Sequence, residues 1–142
     1  MNFVLDNSIV MRWFFNDGSI KDRKYSEDIL NLIVAGSYIP ITPGIWPLEI
    51  ANVISRAESM GQIEETRSAH FLEIIREMNI ATESIAQDVS FGSVLHLARM
   101  YHLSSYDASY LELAMRYSIP LATLDKDLIG AMKKVGVSRL TV

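Results

Sequence analysis

The sequence predicts an α/β protein: a central, mostly parallel twisted sheet with helices on both faces, in three layers. Three observations predict it. Short apolar runs alternate with longer stretches of helical periodicity along the whole chain. Most glycines and prolines fall at the junctions between these stretches, where they act as breaks. The connections are helical and too long for hairpins, so consecutive strands are joined by crossovers and lie parallel.

The elements follow in order. "NFVL" (2–5) is a short strand, and "SIVMRWFF" (8–15) a helical segment ending at the turn "NDGS" (16–19). From Lys21 to Ala35, Tyr25, Ile29, Leu32 and Ile33 form a helical stripe that Gly36 stops. "YIPI" (38–41) is the second strand. Residues 42–59 form a helix with prolines at its start and Gly61 beyond its end. A further helix covers about 64–77, and "NIAT" (79–82) is a third strand. Ile85, Val89, Val94, Leu95 and Leu97 keep helical register through 84–102, with Gly92 as a weak point. A helix at 104–118 leads into the strand-like "IPLATL" (119–124). The helix 125–136 has a glycine stop, and "VSRLTV" (137–142) is expected as a last strand.

Composition narrows the class. The chain has 142 residues, the size of one domain, with 49% hydrophobic and 21% charged residues, so it can bury a core without staples. No apolar run approaches the ~18 residues of a membrane span. The start, "MNFVLDNS", lacks the basic and small-residue features of a signal peptide. There is no cysteine, hence no disulfide and no thiolate metal site, which is compatible with a cytoplasmic location. A net charge of −4 and an isoelectric point near 5.3 do not suit a non-specific nucleic-acid binder. A polyanionic substrate would need local attraction or a bound cation.

In parallel α/β sheets, ligands bind outside the carboxyl ends of the strands. Four acids fall there. Asp6 ends the first strand, and Asp125 immediately follows the strand-like 119–124. Asp107 lies in the first turn of the helix leading into that strand, and Glu49 lies early in the helix after the second. Each has a purely structural alternative. Asp6 and Asp125 suit N-caps, and "SSYD" (104–107) has the outline of a capping box. Glu49 has no cation three or four residues away to pair with it, so its alternative is a solvated helix edge. Four carboxylates brought together would repel one another by several kcal/mol per pair at about 4 Å, so a cation is needed to hold them. An all-oxygen set without thiolate or imidazole suits Mg²⁺ or Mn²⁺ rather than zinc. These four acids also account for the whole of the net charge of −4.

With these residues in hand, the chain resembles the PIN-domain family, and within it the VapC-type ribonuclease toxins. The resemblance runs over nearly the whole chain. It rests on "LDNS" (5–8), "PLEIAN" (47–52), "SSYDASYLELA" (104–114) and "LATLDKDL" (121–128), the last two being the most specific. It implies a PIN-like three-layer fold, with Asp6, Glu49, Asp107 and Asp125 as the catalytic, metal-binding quartet. Ser8 and Thr123 match hydroxyl residues that support the site by hydrogen bonding, and Asn52 matches an asparagine found three residues after the glutamate. Asp127 is near enough in sequence to touch the metal shell, although helix capping also explains it. Asn7 departs from the commoner Ala or Thr and leaves the quartet intact.

The resemblance further implies a Mg²⁺- or Mn²⁺-dependent endoribonuclease. A homodimer is expected, with an RNA substrate and a VapB-like antitoxin that blocks the site. A PIN-fold module that binds RNA or protein without cutting is the alternative. A receiver-type phosphorylation switch would need a pair of acids after the first strand, which "LDNS" lacks.

The remaining candidates carry less. His70, His96 and His102 have no metal-site spacing and read as surface or core-packing residues. Arg12, Arg99, Lys126 and Lys133 suit an RNA path but equally a solvated surface. The hairpin 43–77 is rich in apolar residues, including Ile45, Trp46, Ile63, Phe71, Ile74 and Ile75. It suits either a dimer or antitoxin surface, or core packing.

Overall fold

A computed structural model describes residues Met1–Val142. Four strands, β1 (Asn2–Leu5), β2 (Ile39–Pro43), β3 (Ala81–Glu83) and β4 (Leu121–Ala122), form one sheet in the order β3-β2-β1-β4. Every pairing is parallel, with Val4 opposite Ile41 on one side of β1 and Leu121 on the other. Successive strand side chains face opposite sides, and Phe3, Val4 and Leu5 are all fully buried, so both faces of β1 are covered. The covering layers are α1 (Asn7–Phe14), α2 (Ile20–Val34), α3 (Trp46–Ser59), α4 (Glu65–Glu77), α5 (Gln87–Val89), α6 (Leu95–Tyr101), α7 (Ser105–Tyr117) and α8 (Lys126–Val135). None of these helices is long and apolar enough to cross a membrane.

Strand order sets the location of the site. From β1 the chain proceeds outward to β2 and β3 on one side, then returns to place β4 on the other. The carboxyl ends of β1 and β4 therefore flank a switch point, where α/β sheets open a crevice. Helix α7 packs across β1, β2 and β4. Because it leads into β4, its N-terminal turn lies at that same carboxyl edge.

Several expectations are corrected by packing. The tail 137–142 is not a strand: it makes a single bridge, between Leu121 and Arg139. The Tyr25 hydroxyl donates to the Leu140 carbonyl at 2.7 Å, and the Arg139 guanidinium stacks 3.8 Å from the Tyr25 ring centroid. The tail thus packs on Tyr25 of α2, and it meets β4 only at Leu121, whose N–H donates to the Ser138 carbonyl at 3.0 Å and whose carbonyl accepts from Leu140 N–H at 3.1 Å. The strand expected over 119–124 contracts to Leu121–Ala122, because Ile119 N–H still closes the end of α7 on Ala114 and Asp125 already caps α8.

The helix expected over 84–102 is interrupted by a π-helical stretch, Ser90–Val94, centred on Gly92. Asn79 adopts a left-handed φ of 52° that ends α4, so β3 starts at Ala81. The prolines and Gly44 delay α3 to Trp46. A side chain at Gly44 would stand 3.1 Å from the Glu83 carbonyl, so glycine eases the close approach of the ends of β2 and β3. In the hairpin 43–77, Trp46, Ile63, Phe71 and Ile75 are buried in the core, while Ile74 stays exposed. Core packing therefore accounts for most of that apolar excess.

Candidate active site

Asp6 stands at the end of β1 and is 5% exposed. It flanks α1 in extended conformation, yet its side chain does not cap that helix. Instead Oδ2 accepts two hydroxyl hydrogen bonds, from Ser8 at 2.6 Å and from Thr123 at 2.7 Å. Both hydroxyls are used twice. The Ser8 oxygen accepts from Leu124 N–H at 3.0 Å, and the Thr123 oxygen from Asp125 N–H at 3.0 Å. A five-residue knot thus stitches the end of β1 to the end of β4 and holds the Asp6 carboxylate in one orientation. Burial pushes the Asp6 carboxyl above its usual range against the pull of these hydrogen bonds, and the charge of Asp125 adds to the rise.

Glu49 finds its partner far away in sequence. The Tyr110 hydroxyl, buried in α7, donates to Glu49 Oε1 at 2.5 Å. The Glu49 carboxyl is still raised by burial, and the charges of Asp6 and Asp107 add to the rise. Asp107 lies in the first turn of α7, where Ser104 caps the helix by accepting from Asp107 N–H at 3.0 Å. Burial, then the charges of Asp125 and Asp6, push the Asp107 carboxyl up to about 6. Asp125 does cap its helix, since Oδ1 accepts from Asp127 N–H at 2.9 Å and Leu128 N–H at 3.2 Å. The capping and clustering readings of Asp125 are therefore compatible.

The four carboxylates thus feel one another, and none is joined to a cation: the ion pairs of the chain are Arg12–Asp17, Lys24–Asp28 and the Arg116 pairs with Glu83 and Glu112. They rim an open edge rather than a closed cavity, because none of the five main cavities is lined by them. No trio of acidic or histidine side chains forms a group that could by itself hold a metal ion. Asn52 and Asp127 expose their side chains and hydrogen-bond to none of the four acids, although Asp127 N–H helps hold Asp125.

Fold and rim together raise the question of ancestry. A family model of the PIN domain matches residues 3–134. The chain belongs to the PIN-domain family. PIN is generally a nuclease fold, and its nucleases usually work with divalent metals. Among solved structures, this PIN domain is similar to the crystal structure of PAE2754 from Pyrobaculum aerophilum, with a TM-score of 0.71 at 17% identity. The match covers 97% of this chain and 83% of that one. No curated protein matches the chain by sequence.

Two residues of this PIN domain stand out only in three dimensions. Nothing in the sequence spacing of Tyr110 points to Glu49 as its partner. The Arg139 guanidinium donates to the Thr123 carbonyl at 3.0 Å and so braces the turn that carries Thr123 and Asp125. Thr123 itself is fully buried. Its replacement by Val, which keeps the shape, strips a donor from Asp6 and an acceptor from Asp125 N–H. Thr123→Val is expected to lower unfolding free energy by about 1–3 kcal/mol. Urea denaturation against the wild type measures it, and an unchanged midpoint would show that the knot is dispensable.

Proposed function

We propose that this PIN domain is a metal-dependent endoribonuclease acting as a VapC-type toxin, with Asp6, Glu49, Asp107 and Asp125 as its metal-binding and catalytic residues. One observation carries the reading: the carboxyls of Asp6, Glu49 and Asp107 are each raised by burial and by the charges of neighbouring acids, the charge of Asp125 acting on Asp6 and Asp107, and no basic side chain pairs with any of the four. A protein tolerates such charge chiefly where a cation relieves it. The donor set, all oxygen, fits Mg²⁺ or Mn²⁺.

When bound, such an ion polarises the scissile phosphate and offsets the charge that develops on it. The chain's own residues do the rest. Ser8 and Thr123 hold Asp6 to one orientation, and Asp125 is held by the first turn of α8. One carboxylate of the quartet orients the attacking water in line with the leaving oxygen. The cellular setting belongs to the same proposal: a cytoplasmic homodimer, silenced by a VapB-like antitoxin. Leu48 (67% exposed), Phe91 (69%) and Tyr106 (56%) favour such covering partners, since each stands exposed on or near the helices that carry the acids.

A second reading, a PIN-fold module that binds RNA or protein without cutting, draws on the absence of a ready three-ligand group. Metal removal separates the two. Purified protein is expected to cleave single-chain RNA in Mg²⁺ or Mn²⁺, to stop in excess EDTA, and to resume when Mn²⁺ is restored. Cleavage indifferent to EDTA, or none with any divalent ion, would overturn the nuclease assignment.

A further inference from the structure

We infer that Tyr110 is a positioning residue for Glu49, its buried hydroxyl fixing one carboxylate oxygen so that the other serves the acidic rim. The inference rests on the nuclease reading above. Each of the other acids is already steadied. Asp6 is held by the Ser8 and Thr123 hydroxyls, Asp125 by two amides of its own helix, and Asp107 by a short stem on a capped first turn. Glu49 has a longer stem with one more rotatable bond, half-exposed, and no cation beside it. Without an anchor it would sample several rotamers at the rim.

Tyr110 supplies the anchor from a rigid base. Its ring is fully buried, and its hydroxyl spans from α7 to α3 as the one side-chain hydrogen bond between those helices. Tyr110 also stands three residues after Asp107, one turn along the same helix. The bond therefore ties Glu49 to the frame that carries Asp107, so the two acids move together. The chemistry of the donor matters as well. A lysine or arginine at this place would fix the carboxylate and also neutralise it, removing the charge that a cation needs. A phenol donates one proton and leaves the full negative charge available.

The test is a double-mutant cycle of Tyr110→Phe and Glu49→Gln in the full-length protein, read by Mn²⁺ calorimetry and by steady-state RNA cleavage. Tyr110→Phe removes a single oxygen and should unfold cooperatively, near the wild-type midpoint. Its Mn²⁺ affinity is expected to fall about 10- to 100-fold, as for loss of a partner that orients a metal ligand, with kcat reduced and the KM for RNA unchanged. In the Glu49→Gln background the same substitution should change Mn²⁺ affinity less than about twofold, because the two residues act as one unit.

Wild-type Mn²⁺ affinity and kcat in Tyr110→Phe would overturn the inference alone. So would an equal loss in both backgrounds, which would mean that the two residues act independently. A wild-type protein that neither takes up Mn²⁺ nor cleaves RNA would overturn the nuclease reading, and the inference with it. Should Tyr110→Phe not fold, Tyr110→3-fluorotyrosine keeps ring and hydroxyl while altering hydrogen-bond strength. Its effect on Mn²⁺ affinity should appear in the wild type and vanish in Glu49→Gln, and an effect in neither background would sink the idea.

Discussion

Asp6→Asn is expected to lower RNA cleavage by about 10³-fold or more while leaving the fold in place, the order of loss that follows removal of a principal electrostatic group. The substitution is nearly isosteric, so the core around β1 is undisturbed. The amide oxygen can still accept from Ser8 and Thr123, whose hydroxyls stand 2.6 and 2.7 Å from Oδ2. What disappears is the negative charge at the centre of the knot. Asp6 is the most buried of the four acids, and its charge acts on Glu49 and Asp107 while it feels that of Asp125. Its removal therefore weakens the whole cluster's hold on a cation. It also removes a buried charge that costs stability in the metal-free protein, so the thermal midpoint should hold or rise. Cleavage by the purified variant is compared with wild type at matched Mn²⁺. Undiminished metal-dependent activity in a folded Asp6→Asn protein would remove Asp6 from the site.

The second large effect concerns pH. Asp6, Glu49 and Asp107 all have carboxyls raised above their ordinary values, Asp107 to about 6. Between the unfolded value near 4 and that folded value, the native state holds more protons than the unfolded chain. Stability from these groups is thus present in full at low pH and is lost as pH rises through about 6. Metal-free protein should be more stable near pH 5 than at pH 7, the reverse of ordinary acid denaturation. Asp107 is partly exposed, so solvent screening reduces its share to the order of 1 kcal/mol. Added Mn²⁺ should cancel the trend by binding the ionised quartet, raising stability at pH 7 by about 2.7 kcal/mol at a hundredfold excess over Kd. Thermal midpoints across this range, with EDTA and with Mn²⁺, measure both halves. A metal-free midpoint that climbs steadily from pH 5 to 7 would show that these acids do not strain one another in the folded protein.

How far the chain was legible varies by element. The parallel sheet and its crossovers followed from period and punctuation, because a strand buried on both faces, such as Phe3–Leu5, reads as a continuous apolar run. The four acids were visible as residues at strand ends and helix starts. Their local roles were not. Asp6 and Asp125 look alike in sequence, each between a strand and a helix, yet Asp125 caps α8 and Asp6 does not cap α1. The difference lies in the hydroxyls that Asp6 accepts from, Ser8 two residues on and Thr123 117 residues away, in place of the amides of α1.

The alternation of elements, the identity of the acids and their order are readable along the chain, because neighbours within a turn or a strand carry them. Packing alone brings Tyr110 to Glu49, seats the tail on Tyr25, and turns the apolar hairpin inward. The physical reason is range. Periodicity and capping act within a few residues, whereas a hydrogen bond between side chains 61 or 115 positions apart exists only once packing has brought their backbones together.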